Sequence, residues 1–508
     1  MEVKFIMEDK LIDFSYKKEI ENTQVKVDTK VDIENLQKIL SISGEAIITN
    51  KEILTGEVKF YGEVCYEIVY INDENQIKAK RHLKEFEGKL QSDSINTFTD
   101  PVLCAIVLDT KAEQIGDNSI NIDSIVQIDA YILVTDSFKE FNDSKCITKT
   151  YPIELTSVVK SGETRINITE DFNLKDKPIE ILNVKCHLVP KSYQAGTGYI
   201  QLDAYLVAEI AYVIERDEKT EVRCEILRQD IKEEIEIDNI AKTNKIILNT
   251  DIKNCSIESK FENRQVTLDI PVDVRYIVFE KKQTDITVDA FSSKYETNLT
   301  YESITQITKI ESYSSTERID GEVETDESEA RINRILCSDG NKVVVTKILT
   351  ENKIVKIDGI SYENIVYQLD DDNGTITSLN AEIPFSIQIE VPFVEENDLV
   401  TVKCEVVDFT NKLKKGRTIE IDNELGIYLL VIGQKYDSVV KEVEYGEEII
   451  QNNSNFMLYF AKKGDTIWNV CKKLRIEEEK ILMQNKGLTF PLQKDETIVI
   501  YKKAENTL

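Results

Sequence analysis

The sequence predicts a mainly β protein, in which three repeated antiparallel β domains precede a small unit of two strands and two helices. Apolar and polar residues alternate over long stretches such as 57–70 and 200–214, and a period of two is typical of half-buried strands. Only 8 prolines and 18 glycines occur among the 508 residues, which favours long strands joined by polar turns. We therefore predict that each repeat packs as a β-sandwich or an open barrel.

The three repeats are indicated by short markers that recur in the same order. These are an Ile-Leu pair, a tyrosine that ends a long strand, and a later tyrosine followed by three apolar residues. Their positions are Ile39-Leu40, Ile181-Leu182 and Ile335-Leu336, then Tyr70, Tyr212 and Tyr367, then Tyr131, Tyr276 and Tyr428. Successive copies lie 142 to 155 residues apart, which is the length of a domain rather than of a solenoid repeat. We predict domains at 1–148, 149–300 and 301–448, with linkers near 148–150, 298–302 and 447–455.

The central strand of the third copy departs from simple alternation. Ile357 and Ile365 share one face, whereas Ile360 and Tyr362 fall on the other. One extra residue in a strand changes the face on which later side chains lie. The sequence therefore predicts a β-bulge within 359–364.

Charge and cysteine content indicate the class of compartment and partner. The formal net charge of −30 argues against binding to nucleic acid or to an anionic membrane surface. The nine cysteines form no Cys-x-x-Cys pair and are odd in number, so we expect free, buried thiols in a reducing compartment. Residues 1–9 lack the pattern of a signal peptide, and the apolar run 425–432 is too short to span a bilayer. We expect a cytosolic protein without membrane insertion.

The last fifty residues read as strand, turn, helix, helix and strand. Apolar residues Ile467, Val470, Cys471 and Leu474 have the spacing of one helical face. Asp465 or Thr466 is placed to cap that helix. A second helix is predicted over 477–484, with acidic residues in its first turn where the helix dipole favours them.

This C-terminal pattern resembles a LysM module, a βααβ unit that binds glycans containing N-acetylglucosamine, here at 457–503. Three β repeats followed by one LysM are similar to the clostridial spore-coat morphogenetic proteins with SPOCS domains. The resemblance implies a non-enzymatic scaffold that docks on the forespore from the mother-cell cytoplasm and becomes part of the spore coat. Its implied partners are a polymerising coat-basement ATPase (SpoIVA-like), bound through LysM, and other coat proteins. The alternative is a tether that binds peptidoglycan of the cortex or the germ-cell wall.

The resemblance also places a binding groove between two loops of the LysM-like unit, residues 463–467 and 485–491, which we call the groove loops. The residues that match its walls, for a protein or a glycan, are Lys463, Gly464, Asp465, Thr466, Ile467, Trp468, Asn485, Lys486 and Leu488. Asp465 and Thr466 are equally suited to capping, and Ile467 and Trp468 to the core of the unit. Lys486-Gly487 replaces the proline usual in the family after Asn485, which argues against sugar binding.

The sequence offers little material for catalysis. It holds two histidines, His82 and His187, far apart in the chain, and no phosphate-binding glycine loop. His187 lies in an apolar stretch and is expected to be a satisfied, partly buried side chain. Carboxylates are abundant, so a carbohydrate-active enzyme remains a third hypothesis, but no pair of them stands out. We predict no enzyme activity, no catalytic residues, no metal site and no cofactor.

Overall fold

The computed structural model describes residues 10–97, 99–116, 118–216, 219–450 and 456–501. Over these residues the protein is mainly β, with several antiparallel sheets, as predicted. No helix in the described ranges is long and apolar enough to cross a membrane. Residues 1–9 and most of the predicted tether, 451–455, lie outside the described residues.

The first set of strands forms two three-stranded sheets, ordered β1-β6-β5 and β2-β3-β4. Buried side chains of both sheets share one apolar core, which includes Val58, Phe60, Ile120 and Ile122. Its strands are β1 (Leu11–Asp32), β2 (Leu36–Leu54), β3 (Glu57–Asn72), β4 (Ile77–Gln91), β5 (Val102–Gln114) and β6 (Ser119–Lys139). This arrangement is a sandwich of two sheets.

The second set repeats this order with one short strand added. Its sheets run β8-β9-β10 and β7-β13-β11, and β12 also pairs with β13. Its elements are β7 (Cys146–Asn173), β8 (Glu180–Ala195), β9 (Tyr199–Arg216), β10 (Lys219–Glu236), β11 (Lys245–Ile252), a 3-10 turn (Asn254–Ser256), β12 (Glu258–Glu262) and β13 (Gln265–Ser292).

The third set has sheets ordered β14-β19-β18 and β15-β16-β17. Its strands are β14 (Tyr295–Glu324), β15 (Ile332–Glu351), β16 (Ile354–Leu369), β17 (Ile376–Glu390), β18 (Leu399–Lys414) and β19 (Thr418–Glu448). The segments 148–150 and 298–302, predicted as linkers, lie inside the unbroken strands β7 and β14. The domain bounds at 1–148, 149–300 and 301–448 stay a prediction.

The Ile-Leu markers lie where the three sets meet. Leu40, Leu182 and Leu336 belong to one apolar cluster that also holds Val69, Val213 and Val366. The tyrosines Tyr212 and Tyr367 are instead buried within the cores of their own sets. The Ile-Leu pair therefore recurs because each set contributes its leucine to the same junction.

Polar contacts close this junction into a ring. Lys78 Nζ lies 3.1 Å from Glu180 Oε2 between the first and second sets. Arg334 Nη1 lies 2.8 Å from Glu221 Oε1 between the third and second. Lys38 Nζ donates to Thr377 Oγ1 at 2.8 Å between the first and third. Each set thus contacts both of the others.

The longest strands extend beyond the ring and pack together. The pairs β1/β6, β7/β13 and β14/β19 contribute side chains to one further cluster, and we call these pairs the three ribbons. The cluster contains Ile12, Phe14, Phe138, Ile153, Leu155, Ile286, Ile304 and Val439.

The predicted bulge in the third set is wrong in its position. Strand β16 pairs with β17 without a register shift, and its burial alternates regularly through residues 355 to 365. The extra residues lie on β15, where Gly340 and Asn341 stand opposite Glu363. The apparent change of phase arises because β16 buries polar residues, Ser361 and Glu363, on its core face.

The expectation of free thiols throughout is wrong for four of the nine cysteines. Disulfides join Cys65 to Cys255 and Cys224 to Cys337, with Cα atoms 6.1 and 5.0 Å apart. Each bridge links two different sets of strands, over 190 and 113 residues. Sequence spacing cannot reveal such pairs, since folding alone brings the partners together.

Candidate functional site

The candidate site lies in the C-terminal unit, which we define as residues 456–501. Its elements are β20 (Phe456–Ala461), α1 (Ile467–Leu474), α2 (Glu478–Gln484) and β21 (Glu496–Tyr501). The two strands pair antiparallel, and the helices cover one face of this sheet with Val470, Cys471 and Ile481. Burial raises the pKa of Cys471 to about 11, so this thiol is a core group rather than a nucleophile.

Backbone hydrogen bonds join the first predicted groove loop to the residue that follows the second loop. Gly464 N donates to Leu492 O at 2.8 Å, and Leu492 N donates to Asp465 O at 3.0 Å. Gly464 has φ +92°, a conformation that glycine adopts at no steric cost. The loop around 464 therefore lies beside Leu492, which directly follows the second predicted loop; the binding groove itself stays a prediction.

Asp465 and Thr466 both perform structural tasks in the first loop. Asp465 Oδ2 accepts from Lys462 N at 2.8 Å, inside the turn. Thr466 is the N-cap of α1, and its hydroxyl accepts from Asn469 N at 3.2 Å. The cap predicted for this helix is thus Thr466. Close to this loop, the pKa of the exposed Asp495 carboxyl is lowered, chiefly by a hydrogen bond from Lys463 N and also by one from Lys462 Nζ.

Asn485 is held within the unit rather than presented to solvent. Its Oδ1 accepts from Val499 N at 2.8 Å, and its Nδ2 donates to Ile481 O and Val499 O, both at 2.9 Å. The side chain therefore ties the end of α2 to β21. These three bonds account for an asparagine at this position without any ligand.

The remaining predicted residues divide by exposure. Lys463, Gly464 and Lys486 are exposed. Ile467 and Leu488 are half-buried and pack against the core of the unit. Of these five residues, the lysines and Gly464 are thus the ones that face solvent.

Trp468 faces the body of the protein. It is 9% exposed, and its ring centroid lies 5.2 Å from that of Phe291 in β13. Its Nε1 donates to Asp289 Oδ2 at 2.8 Å. The structure therefore places this predicted site residue in an intramolecular contact.

Two basic residues of α1 and its C-cap complete the contact with the body. Lys472 Nζ lies 2.9 Å from both carboxylate oxygens of Asp289. Arg475 donates to Ser292 O and Tyr295 O at 3.0 Å and to Glu296 Oε2 at 2.6 Å. The sequence gives no signal for Asp289 and Glu296, because they precede their partners in the unit by 179 to 183 residues and follow no motif.

The outer face of the two-stranded sheet is apolar and exposed. Phe456, Leu458 and Phe460 alternate along β20, and Phe460 is 69% exposed. Tyr501 stands opposite Phe456, with ring centroids 5.3 Å apart. The sequence shows apolar residues at alternate positions 456, 458 and 460, and this pattern could have predicted the surface.

The histidines occupy separate structural positions. His187 Nε2 lies 3.1 Å from Val406 O and the side chain is buried, so the prediction of a satisfied histidine is confirmed. His82 Nε2 lies 3.0 Å from Thr29 Oγ1. Within the ranges that the structure covers, no group of three or more His, Cys, Asp or Glu side chains is arranged to hold a metal ion.

The described residues define a mainly antiparallel β protein that carries a small strand-helix-helix-strand unit at its end. Residues 331–414 match the family model described as SipL, SPOCS domain. The match runs from the start of β15 to the end of β18 and supports a role related to sporulation and the spore coat. No curated protein and no solved structure matches the chain.

Proposed function

We propose that this protein is a non-enzymatic scaffold of the spore coat that binds a coat-basement ATPase through its C-terminal unit. The observation that carries the proposal is the match of residues 331–414 to the SipL, SPOCS domain. The strand-helix-helix-strand order of residues 456–501 adds the element order of a LysM module. On this proposal the protein acts in the mother-cell cytoplasm at the forespore surface and then in the coat, where other coat proteins also bind it.

We infer that the partner meets the C-terminal unit on a surface other than the one that contacts the body. Trp468, Lys472 and Arg475 already contact the body. Lys463 and Lys486 are exposed on the two groove loops. The partner therefore contacts the groove loops, and Trp468 orients the unit instead of anchoring the partner.

The ring and ribbons suit a scaffold because they hold separate surfaces at constant distances. The three sets contact one another through one apolar cluster and three polar junctions. Packing of this kind resists relative motion of the sets. Coat contacts made by the ring are thereby kept at a defined distance from the groove.

The test uses the full chain, purified coat-basement ATPase and purified peptidoglycan in separate binding measurements. We expect the full chain to bind the ATPase and not to be retained on peptidoglycan. The double variant Lys463→Glu, Lys486→Glu should bind the ATPase about tenfold more weakly, since charge reversal at a contact opposes association. The matched control Lys242→Glu changes an exposed lysine of the body and should bind normally.

Two results would contradict the proposal. Retention on peptidoglycan without ATPase binding would mean that the groove kept a glycan specificity and that the chain is a wall tether. Equal ATPase binding by the double variant and the wild type would mean that the interface lies outside the groove loops.

A further inference from the structure

The disulfide between Cys65 and Cys255 lies in a crevice between the first and second sets of strands. Cys65 belongs to β3, and Cys255 to the 3-10 turn Asn254–Ser256. Side chains of Glu45, Glu63 and Leu83 line the crevice together with the bridge. Leu83 is 52% exposed, so one wall of the crevice reaches solvent.

The second disulfide has different surroundings. The bridge from Cys224 to Cys337 lies in the apolar cluster where all three sets meet. The space beside Cys337 is lined by Val69, Ile77, Leu182, Ala211, Val222 and Val366. Cys224 is half-buried, as Cys255 is, so exposure alone does not separate the two bridges. A polar or ionised reagent that approaches Cys337 through this apolar space loses its hydration, so we expect slower attack there than in the crevice lined by Glu45 and Glu63.

We propose that Cys65–Cys255 is a site of thiol–disulfide exchange with low-molecular-weight monothiols, whereas Cys224–Cys337 is a structural bond. Exchange depends on access to the sulfur that is attacked. Cys255 is half-buried, while Cys65 is 9% exposed. The incoming thiolate therefore attacks Cys255 Sγ.

The chemistry balances with two molecules of thiol. The first thiolate forms a mixed disulfide with Cys255 and releases Cys65 as a thiolate, which takes up the proton that the thiol lost. A second thiolate attacks the small-molecule sulfur of the mixed disulfide and releases Cys255 as a thiolate, which takes up the proton that the second thiol lost. Two cysteine thiols and one small disulfide result, and a small disulfide drives the same steps in reverse.

The turn that carries Cys255 stays in place when the bond opens. Asn254 Oδ1 accepts from Cys186 N at 2.7 Å, and its Nδ2 donates to Cys186 O at 3.1 Å. These bonds attach the turn to β8 independently of the disulfide. Cys255 therefore remains beside Cys65, and the bridge closes again when the thiol is removed.

The first test maps thiols in the wild-type chain. Alkylation in denaturant without reductant should label five cysteines, which are Cys104, Cys146, Cys186, Cys404 and Cys471. Treatment of the folded chain with 2-mercaptoethanol before alkylation should label Cys65 and Cys255 at least about tenfold faster than Cys224 and Cys337. Equal rates, the reverse order, or nine labels without reductant would overturn the proposal.

The second test traps the mixed disulfide. Cys65→Ser leaves Cys255 as a free thiol, and 2-hydroxyethyl disulfide should add one hydroxyethylthio group to it. Cys224→Ser is the matched control, and its Cys337 should gain no adduct in the same time. An adduct on Cys337 but not on Cys255 would contradict the assignment. The wild-type map decides the question if either variant does not fold.

Discussion

The indole of Trp468 in α1 donates a hydrogen bond to the carboxylate of Asp289 in β13, 2.8 Å away. The same carboxylate accepts from Lys472. One acidic side chain of the ribbon β7/β13 thus binds both a neutral and a charged donor of the C-terminal unit. This shared acceptor connects the unit to the body.

Replacement of Asp289 should release Trp468 into solvent. Hydrogen bonds to charged groups contribute about 1.5–3 kcal/mol each, so Asp289→Ala should weaken docking of the unit. Trp468 is the only tryptophan of the chain, and its fluorescence therefore reports this contact alone. We expect emission at longer wavelength in Asp289→Ala. The control Asp285→Ala removes an exposed carboxylate of the same strand and should leave emission unchanged, and equal spectra for both variants would show that Asp289 does not hold the unit.

Gly62 should not tolerate a side chain while Phe86 stands opposite. These residues are cross-strand partners of β3 and β4, and a Cβ on Gly62 would lie 2.3 Å from Phe86 Cζ and 2.7 Å from the backbone Ile47 O. Gly359 and Phe385 form the same pair in the third set. Because overpacking costs about 1–3 kcal/mol, Gly62→Ala should lower the free energy of unfolding in urea by that amount.

The second set suggests how to reverse this effect. There the corresponding partners are Ala204 and Ile231, a larger residue facing a smaller one. The double variant Gly62→Ala, Phe86→Ile should recover the part of the lost stability that comes from the contact with Phe86, while the close contact with Ile47 O is left in place. A cycle that includes Phe86→Ile alone measures the coupling, and simple additivity of the two changes would argue against the steric explanation.

Glu363 should make stability depend on pH. The side chain is 2% exposed, and burial raises its pKa despite hydrogen bonds from Ser338 and Asn411. The folded protein favours the protonated form of Glu363. The stabilisation that this preference gives the folded state is therefore complete below the unfolded pKa of about 4.3, and it is lost as pH rises through the folded pKa. The decline approaches about 1.4 kcal/mol per pH unit between the two values.

The variant Glu363→Gln keeps a neutral side chain at every pH and should lack this decline. Urea unfolding between pH 4 and 8, compared as the difference between variant and wild type, isolates the effect. Glu382→Gln, an exposed neighbour on β17, is the control and should follow the wild type. A difference that does not grow with pH would mean that Glu363 is ionised in the folded protein.

Two variants of Thr466 should distinguish its role as a helix cap from a role in contact with the partner. Thr466→Ala removes the hydrogen bond to Asn469 N, and loss of a cap costs about 0.5–2 kcal/mol. Thr466→Ser keeps the hydroxyl and should restore the stability of the unit, measured by thermal unfolding. Weak partner binding by the serine variant despite full stability would instead indicate a direct role for the threonine methyl group.

Local patterns in the sequence were sufficient for the class of fold. Alternation at 200–214 predicts a strand that the structure places in β9, and the apolar spacing after Thr466 predicts α1. Such patterns are readable because secondary structure imposes its own period on burial. The same logic failed in β16, where the core face carries Ser361 and Glu363. These side chains accept hydrogen bonds from Asn423 and Asn411, which are distant in the chain, so a pattern that treats polar residues as exposed misplaces them.

The sequence by itself determined the β class, the three recurring markers and the helices of the C-terminal unit, because each depends on neighbours along the chain. Only the tertiary structure decided that Leu40, Leu182 and Leu336 meet at one junction, that Cys65 reaches Cys255, and that Trp468 faces Asp289. Each of these relationships joins residues more than a hundred positions apart. These contacts follow from how sheets and ribbons pack in space, and no periodic pattern in the sequence predicts them.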